Sequence, residues 1–146
     1  MSIHARRIKH RDVTDQILAA FYAVYNTLGP GFLEKVYENA MVIELRERGL
    51  SVRAQAPIVV SYHGQAVGEY YADLLVAGKV IVELKAAKEL APEHEAQLLH
   101  YLRATDVEVG MLLNFGPAAS FQRKAYDNDR KGMRGASGAL NADPYG

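Results

Sequence analysis

The sequence predicts an α/β (α+β) protein, with one mixed central sheet flanked by helices in the order α-α-β-β-β-α-β. Three observations carry this reading. Two segments between residues 14 and 48 repeat apolar residues at helical spacing. Three β-rich runs follow, Val52 to Tyr62, Gln65 to Val76 and Lys79 to Ala86, separated only by short turns. A third helical stretch then precedes a last apolar strand, Val107 to Phe115. A strand reached through a helix is expected to lie parallel to the strand before that helix, and helices of this kind cover the faces of a sheet.

The chain of 146 residues is long enough for one domain with a single core. Lysine plus arginine and aspartate plus glutamate number 17 each, so the protein is not a bulk polyanion binder. Basic residues are nonetheless local: Arg6, Arg7, Lys9 and Arg11 form one cluster, and Arg123, Lys124, Arg130, Lys131 and Arg134 a looser one. The absence of cysteine removes disulfides, zinc-thiolate sites and thiol nucleophiles, and makes a reducing cytoplasm the natural location. No apolar run is long enough to span a bilayer, so no membrane partner is expected. The expected division is a basic N-terminal segment over 1–12, one domain over 13–126, and a flexible tail over 127–146, rich in Gly, Asn, Asp and Ala.

In chain order, Thr14 is the expected N-cap of a first helix that buries Ile17, Phe21, Val24 and Leu28 and breaks at Gly29-Pro30-Gly31. The second helix is expected from about Phe32 to Arg48, with Leu33, Val36, Ala40, Ile43 and Leu45 as its apolar stripe and Gly49 as its stop. Glu34 sits in its first turn, where a carboxylate complements the helix dipole without any chemistry. Tyr37 and Met41 follow on the same face. Pro57 marks the first strand as an edge or a bulge. Pro92 opens the third helix, whose one face carries His94, Gln97, Leu98, Tyr101 and Leu102 up to about Thr105. Gln97 and Tyr101 are one turn apart, while His94 and His100 receive no role. Phe121 to Tyr126 adds a short edge segment.

The chemistry concentrates in Tyr71 to Lys85, two apolar strands joined at Ala77-Gly78. Asp73, Glu83 and Lys85 interrupt runs whose both faces should be buried. Glu83 and Lys85 share a face by alternation. Asp73 joins them only if the hairpin loop has three residues or a bulge, and such a loop is predicted, with Gly78 left-handed. Two carboxylates on one buried face repel by about 4 kcal/mol at ~4 Å and an effective dielectric near 20. A proton, the lysine or a divalent cation must offset that, and Mg²⁺ takes oxygen ligands of this kind.

Asp73 followed by Glu83-Leu84-Lys85 on the next strand resembles the PD-(D/E)XK nuclease superfamily, with its restriction-endonuclease-like αβββαβ core. Gly31-Phe32-Leu33-Glu34-Lys35-Val36-Tyr37 matches Gly-x-x-Glu-x-x-Tyr of the GxxExxY family. Gln97-Leu98-Leu99-His100-Tyr101 resembles the Gln-x-x-x-Tyr helix of RecB-like nucleases, and Leu113-Asn114-Phe115-Gly116 is also similar to the family. The proline that often precedes the superfamily aspartate is Ala72 here. The resemblance implies a metal-dependent nuclease acting on DNA, or RNA, through a metal-activated water. Asp73, Glu83 and the Leu84 main-chain carbonyl would bind Mg²⁺ or Mn²⁺, with Glu34 a further ligand directly or through water. Lys85 would orient or deprotonate the attacking water, Gln97 and Tyr101 would hold Lys85 or the phosphate, and Tyr37 would pack beside Glu34 or contact substrate. Members of the superfamily often dimerise, so a homodimer is compatible with the resemblance, though no residue here fixes the oligomeric state. Two alternatives stand beside it. One is a non-catalytic nucleic-acid or protein-binding module on the same fold. The other is a hydrolase of some other phosphate ester, and nothing here resembles a glycine-rich nucleotide loop.

Overall fold

The computed structural model describes residues 8–131. Its elements are α1 (Arg11–Leu28), α2 (Glu34–Glu47), β1 (Val52–Tyr62), β2 (Gln65–Val76), β3 (Val80–Lys85), α3 (Pro92–Ala104), β4 (Val109–Phe115) and β5 (Ala119–Ala125), followed by a 3-10 turn, Asn128–Arg130. The five strands form one mixed sheet in the order β1-β2-β3-β4-β5. Neighbours are antiparallel except β3 and β4, which are parallel and joined through α3. This is the mixed sheet with flanking helices that the periodicities predict, with β5 as the short edge strand.

One face of the sheet packs against α1 and α2: Ile17, Phe21, Tyr37, Met41 and Leu45 meet Leu74, Val76, Val80, Val82, Met111 and Leu113. The other face packs against α3, where Leu98, Tyr101 and Leu102 meet Ala56, Ile58, Ala72, Leu75, Ile81 and Leu112. Coverage of both faces explains why β3 and β4 are apolar at consecutive positions. Gly110 lets α3 approach closely, since a Cβ there would lie 2.6 Å from Leu98 Cδ1.

Two helix expectations need correction. The first helix begins at Arg11, with left-handed His10 before it, and Thr14 lies inside. Thr14 Oγ1 donates back to the Arg11 carbonyl at 3.2 Å, so the hydroxyl is committed to its own helix rather than capping it. The second helix begins at Glu34, and its buried stripe is Tyr37, Glu38, Met41 and Leu45. Leu33, Val36 and Ile43 are exposed, Leu33 by 81%. The rotation of α2 is set by Tyr37: its hydroxyl donates to Gly29 O at 2.6 Å and accepts from Phe32 N–H at 3.1 Å. Its ring stacks on Phe115, with centroids 4.3 Å apart.

The basic clusters are largely paired. Lys9 reaches Glu108 and Asp127, Lys124 reaches Glu95, and Lys131 Nζ donates to the Thr105 and Val107 carbonyls. The segment read as a flexible tail is therefore tied down through Lys131, while its remainder, like Arg6, Arg7 and Arg134, lies outside the described residues. No helix among the described residues is long and apolar enough to cross a membrane.

Candidate active site

The hairpin between β2 and β3 has the odd loop that a shared face demands. Val76 pairs with Val80, leaving Ala77, Gly78 and Lys79 as the loop. Ala77 and Gly78 are both left-handed, at φ 55° and 66°. The ladder runs only from Val76/Val80 to Leu74/Val82 and then stops. The next opposed residues are Asp73 and Glu83, and here side chains replace backbone bonds. Asp73 N–H donates to Glu83 Oε2 at 2.8 Å, and Leu84 N–H donates to Asp73 Oδ2 at 2.8 Å. Each carboxylate thus takes the amide that the separating strands would have left unsatisfied.

The local backbone supports this split from the other side. Gln55 of β1, opposite Asp73, is left-handed at φ 54°, and the Ala54/Leu74 and Ala56/Ala72 pairs flank it without a 55/73 pair between. Ala72 faces the α3 core whereas Leu74 faces the α1/α2 core, although the two are two residues apart. Strand alternation therefore breaks at Asp73.

Burial governs the electrostatics. Glu83 is only 5% exposed. Desolvation, then the Asp73 charge, pushes its carboxyl from 4.5 up to about 8, against the opposing pull of the Asp73 amide and Lys85. Asp73 is raised too, first by desolvation and then by the Glu38 and Glu34 charges, against the Leu84 amide and Lys85. The pair resists carrying two negative charges without a cation.

Around this pair stand residues from α2, from the end of β3 and from α3. Glu34, at the start of α2, accepts from Ala86 N–H at 3.3 Å, just past the end of β3. Lys85 adjoins Ala86, and its ammonium has no hydrogen-bond or ion-pair partner among the described residues. On α3, Gln97 Nε2 donates to the Tyr101 hydroxyl at 2.8 Å. Tyr101 packs in the same buried cluster as Ala72, the residue before Asp73, and desolvation, then the Glu83 charge, raise its hydroxyl pKa. The structure therefore brings Glu34, Asp73, Glu83, Leu84, Lys85, Gln97 and Tyr101 to one end of β3. Tyr37 differs: fully buried, it holds the Gly29–Phe32 loop and has no face left for substrate.

Three neighbours were missed by sequence reasoning. Glu38 is buried, accepts from Lys35 at 2.8 Å and Gln55 at 2.9 Å, and adds negative charge near Asp73. Its position one helical turn after Glu34 was the available signal. Asn114 is fully buried and clamps Ala87 from both sides, accepting its N–H at 2.9 Å and donating to its carbonyl at 3.0 Å. A polar residue within an otherwise apolar strand was the signal there. His94 accepts from Ala91 N–H at 3.0 Å and so caps α3.

The donor set suits a hard divalent ion. Asp73 Oδ1 and Glu83 Oε1 remain without a protein partner among the described residues. No three His, Asp or Glu side chains among those residues form a ready-made cage. Mg²⁺ is commonly held by one or two carboxylates, with water and substrate phosphate completing its shell. A facing carboxylate pair of raised pKa meets that requirement.

A family profile for the PD-(D/E)XK nuclease superfamily matches residues 11–125. No curated protein sequence matches the chain. Among solved structures, the crystal structure of SSO0001 is similar at 18% identity and a TM-score of 0.45, over 85% of this chain and 72% of that one. Hjc, a Holliday junction resolvase from Archaeoglobus fulgidus, is similar at 15% identity and a TM-score of 0.38, over 73% of this chain and 96% of its own. With a profile spanning every element from α1 to β5, the chain belongs to the PD-(D/E)XK nuclease superfamily.

Proposed function

We propose that this chain is a metal-dependent nuclease that hydrolyses phosphodiester bonds of DNA or RNA, within the GxxExxY group marked by Gly31, Glu34 and Tyr37. The observation that carries the reading is the split between β2 and β3, where Asp73 and Glu83 face each other and each keeps one carboxylate oxygen unengaged. Asp73, Glu83 and the Leu84 carbonyl would hold Mg²⁺ or Mn²⁺, with Glu34 contributing through water. Such an ion supplies an activated water and a clamp on developing charge. Lys85, with no hydrogen-bond or ion-pair partner among the described residues, can meet a phosphate oxygen, and losing such a group commonly costs ~10²–10³ in rate. Gln97 orients Tyr101, whose own hydroxyl proton is left to donate to the substrate.

The test is cleavage of labelled single- and double-stranded DNA and RNA in Mg²⁺ or Mn²⁺ by wild type, Asp73→Ala, Glu83→Ala and Lys85→Ala. Cleavage by wild type alone is expected. Wild-type-like cleavage by Glu83→Ala would trace the activity to a contaminant and sink the proposal. Tight binding without cleavage by any of the proteins would instead select a non-catalytic nucleic-acid module on the same fold.

A further inference from the structure

Beside the carboxylate pair, α3 and the β1–β2 ribbon enclose a groove of about 580 Å³, lined by Ile58, Val60, Tyr70, Gln97, His100 and Tyr101 among others. That volume lies within the ~300–1,000 Å³ range of small-molecule sites. It matches a nucleoside-sized ligand and is far smaller than a duplex. We propose that this groove is a subsite for one unpaired nucleobase, stacked on Tyr70, of a strand whose phosphate lies at Asp73 and Glu83. The proposal rests on the nuclease reading and narrows its substrate to single-stranded or locally unpaired nucleic acid.

Four features point to a base. First, Tyr70 pairs across the ribbon with Ile58 and is 50% exposed, so an aromatic face is open above an apolar floor. Every base has a π-face that such a ring can stack against. Second, the Tyr70 ring stands 6.0 Å from that of Tyr101, which lines the groove and packs in the same cluster as Ala72, the residue before Asp73. A strand with its phosphate at the carboxylates would then lay its adjacent base at the mouth of the groove. Third, Gln97 commits Nε2 to Tyr101 and has Oε1 free among the described residues, an acceptor for the polar edge of a base. Fourth, the described lining holds the carboxylate of Glu93 and two histidines, His94 and His100, but no lysine or arginine, so the groove suits an uncharged ring rather than a second phosphate.

The test compares two single strands of equal length, oligothymidine and its fully abasic counterpart, by fluorescence anisotropy in Ca²⁺. Wild type should bind oligothymidine about 5- to 150-fold more tightly, the gain of one stacked base. Tyr70→Ala should erase that preference, and Tyr70→Phe, which keeps the ring, should retain it. Equal binding of the two strands by wild type overturns the subsite but not the nuclease reading. A preference that survives in Tyr70→Ala does the same, as does binding of duplex alone. No binding of any nucleic acid overturns both. Because Tyr70 is half exposed, thermal melting of both variants should match wild type, which separates loss of stacking from loss of fold.

Discussion

Replacing Glu83 by glutamine should make the metal-free protein more stable at pH 8 while leaving it nearly unchanged at pH 5. The reason is the proton on Glu83. In the unfolded chain the carboxyl ionises near its ordinary 4.5, whereas in the fold burial and Asp73 push it up to about 8. Between those values the native state keeps a proton that the unfolded state releases, so stability falls as pH rises. A rise from 4.5 to about 8 corresponds to at most ~5 kcal/mol. Asp73, also raised, adds a contribution of the same sign. Against a typical total of ~5–15 kcal/mol this is a large fraction. Glutamine removes the titration and keeps a carbonyl oxygen to accept the Asp73 N–H. Urea unfolding at pH 5, 6, 7 and 8 in chelator measures the effect. Wild type should lose stability steadily across that range and Glu83→Gln should lose far less, keeping only the Asp73 contribution, the gap reaching several kcal/mol at pH 8. A flat wild-type profile, or a Glu83→Gln protein no more stable than wild type at pH 8, would refute the assignment of a buried, like-charged pair.

Four further outcomes follow from the same geometry. Millimolar Mg²⁺ at pH 8 should raise the melting temperature of wild type but not of Glu83→Ala, by the equivalent of ~2.7 kcal/mol at a hundredfold excess over Kd. Asn114→Ala leaves the Ala87 amide and carbonyl unpaired and should cost ~1–3 kcal/mol in urea unfolding. Gly116→Ala should also destabilise, because its Cβ would collide with the Ala87 carbonyl oxygen. Tyr37→Phe keeps the stack on Phe115 but loses the hydroxyl bridge between Gly29 and Phe32, and should cost ~1–3 kcal/mol by the same assay.

The element order, the three-residue hairpin loop and the meeting of Asp73 with Glu83 were legible because each follows from spacing. Apolar runs broken by charge, a glycine at the turn and strand alternation are local properties of the chain. The buried face of α2 was not legible, because Val36 and Ile43 satisfy helical spacing as well as Tyr37 and Met41 do. A tertiary contact, Tyr37 against Phe115 and Gly29, chooses between the two sets. Glu38 and Gln55 were hidden for the same reason: their partnership joins residues 17 positions apart through a left-handed backbone that no motif marks. The Asn114 clamp on Ala87 spans 27 positions. Asp73, Glu83 and Lys85 could be found from their own neighbours in sequence, whereas the Glu38–Gln55 and Asn114–Ala87 contacts that brace them join residues far apart along the chain.

Whether Asp73 and Glu83 together hold a divalent cation is read by isothermal titration of Mn²⁺ into the metal-free protein. Saturable heat is expected for wild type, with release of protons on binding as Glu83 gives up its own, and neither signal from Glu83→Ala. Binding of equal strength to wild type and Glu83→Ala would show that the pair is not the metal site, as would no binding to wild type with or without a nucleic-acid strand present.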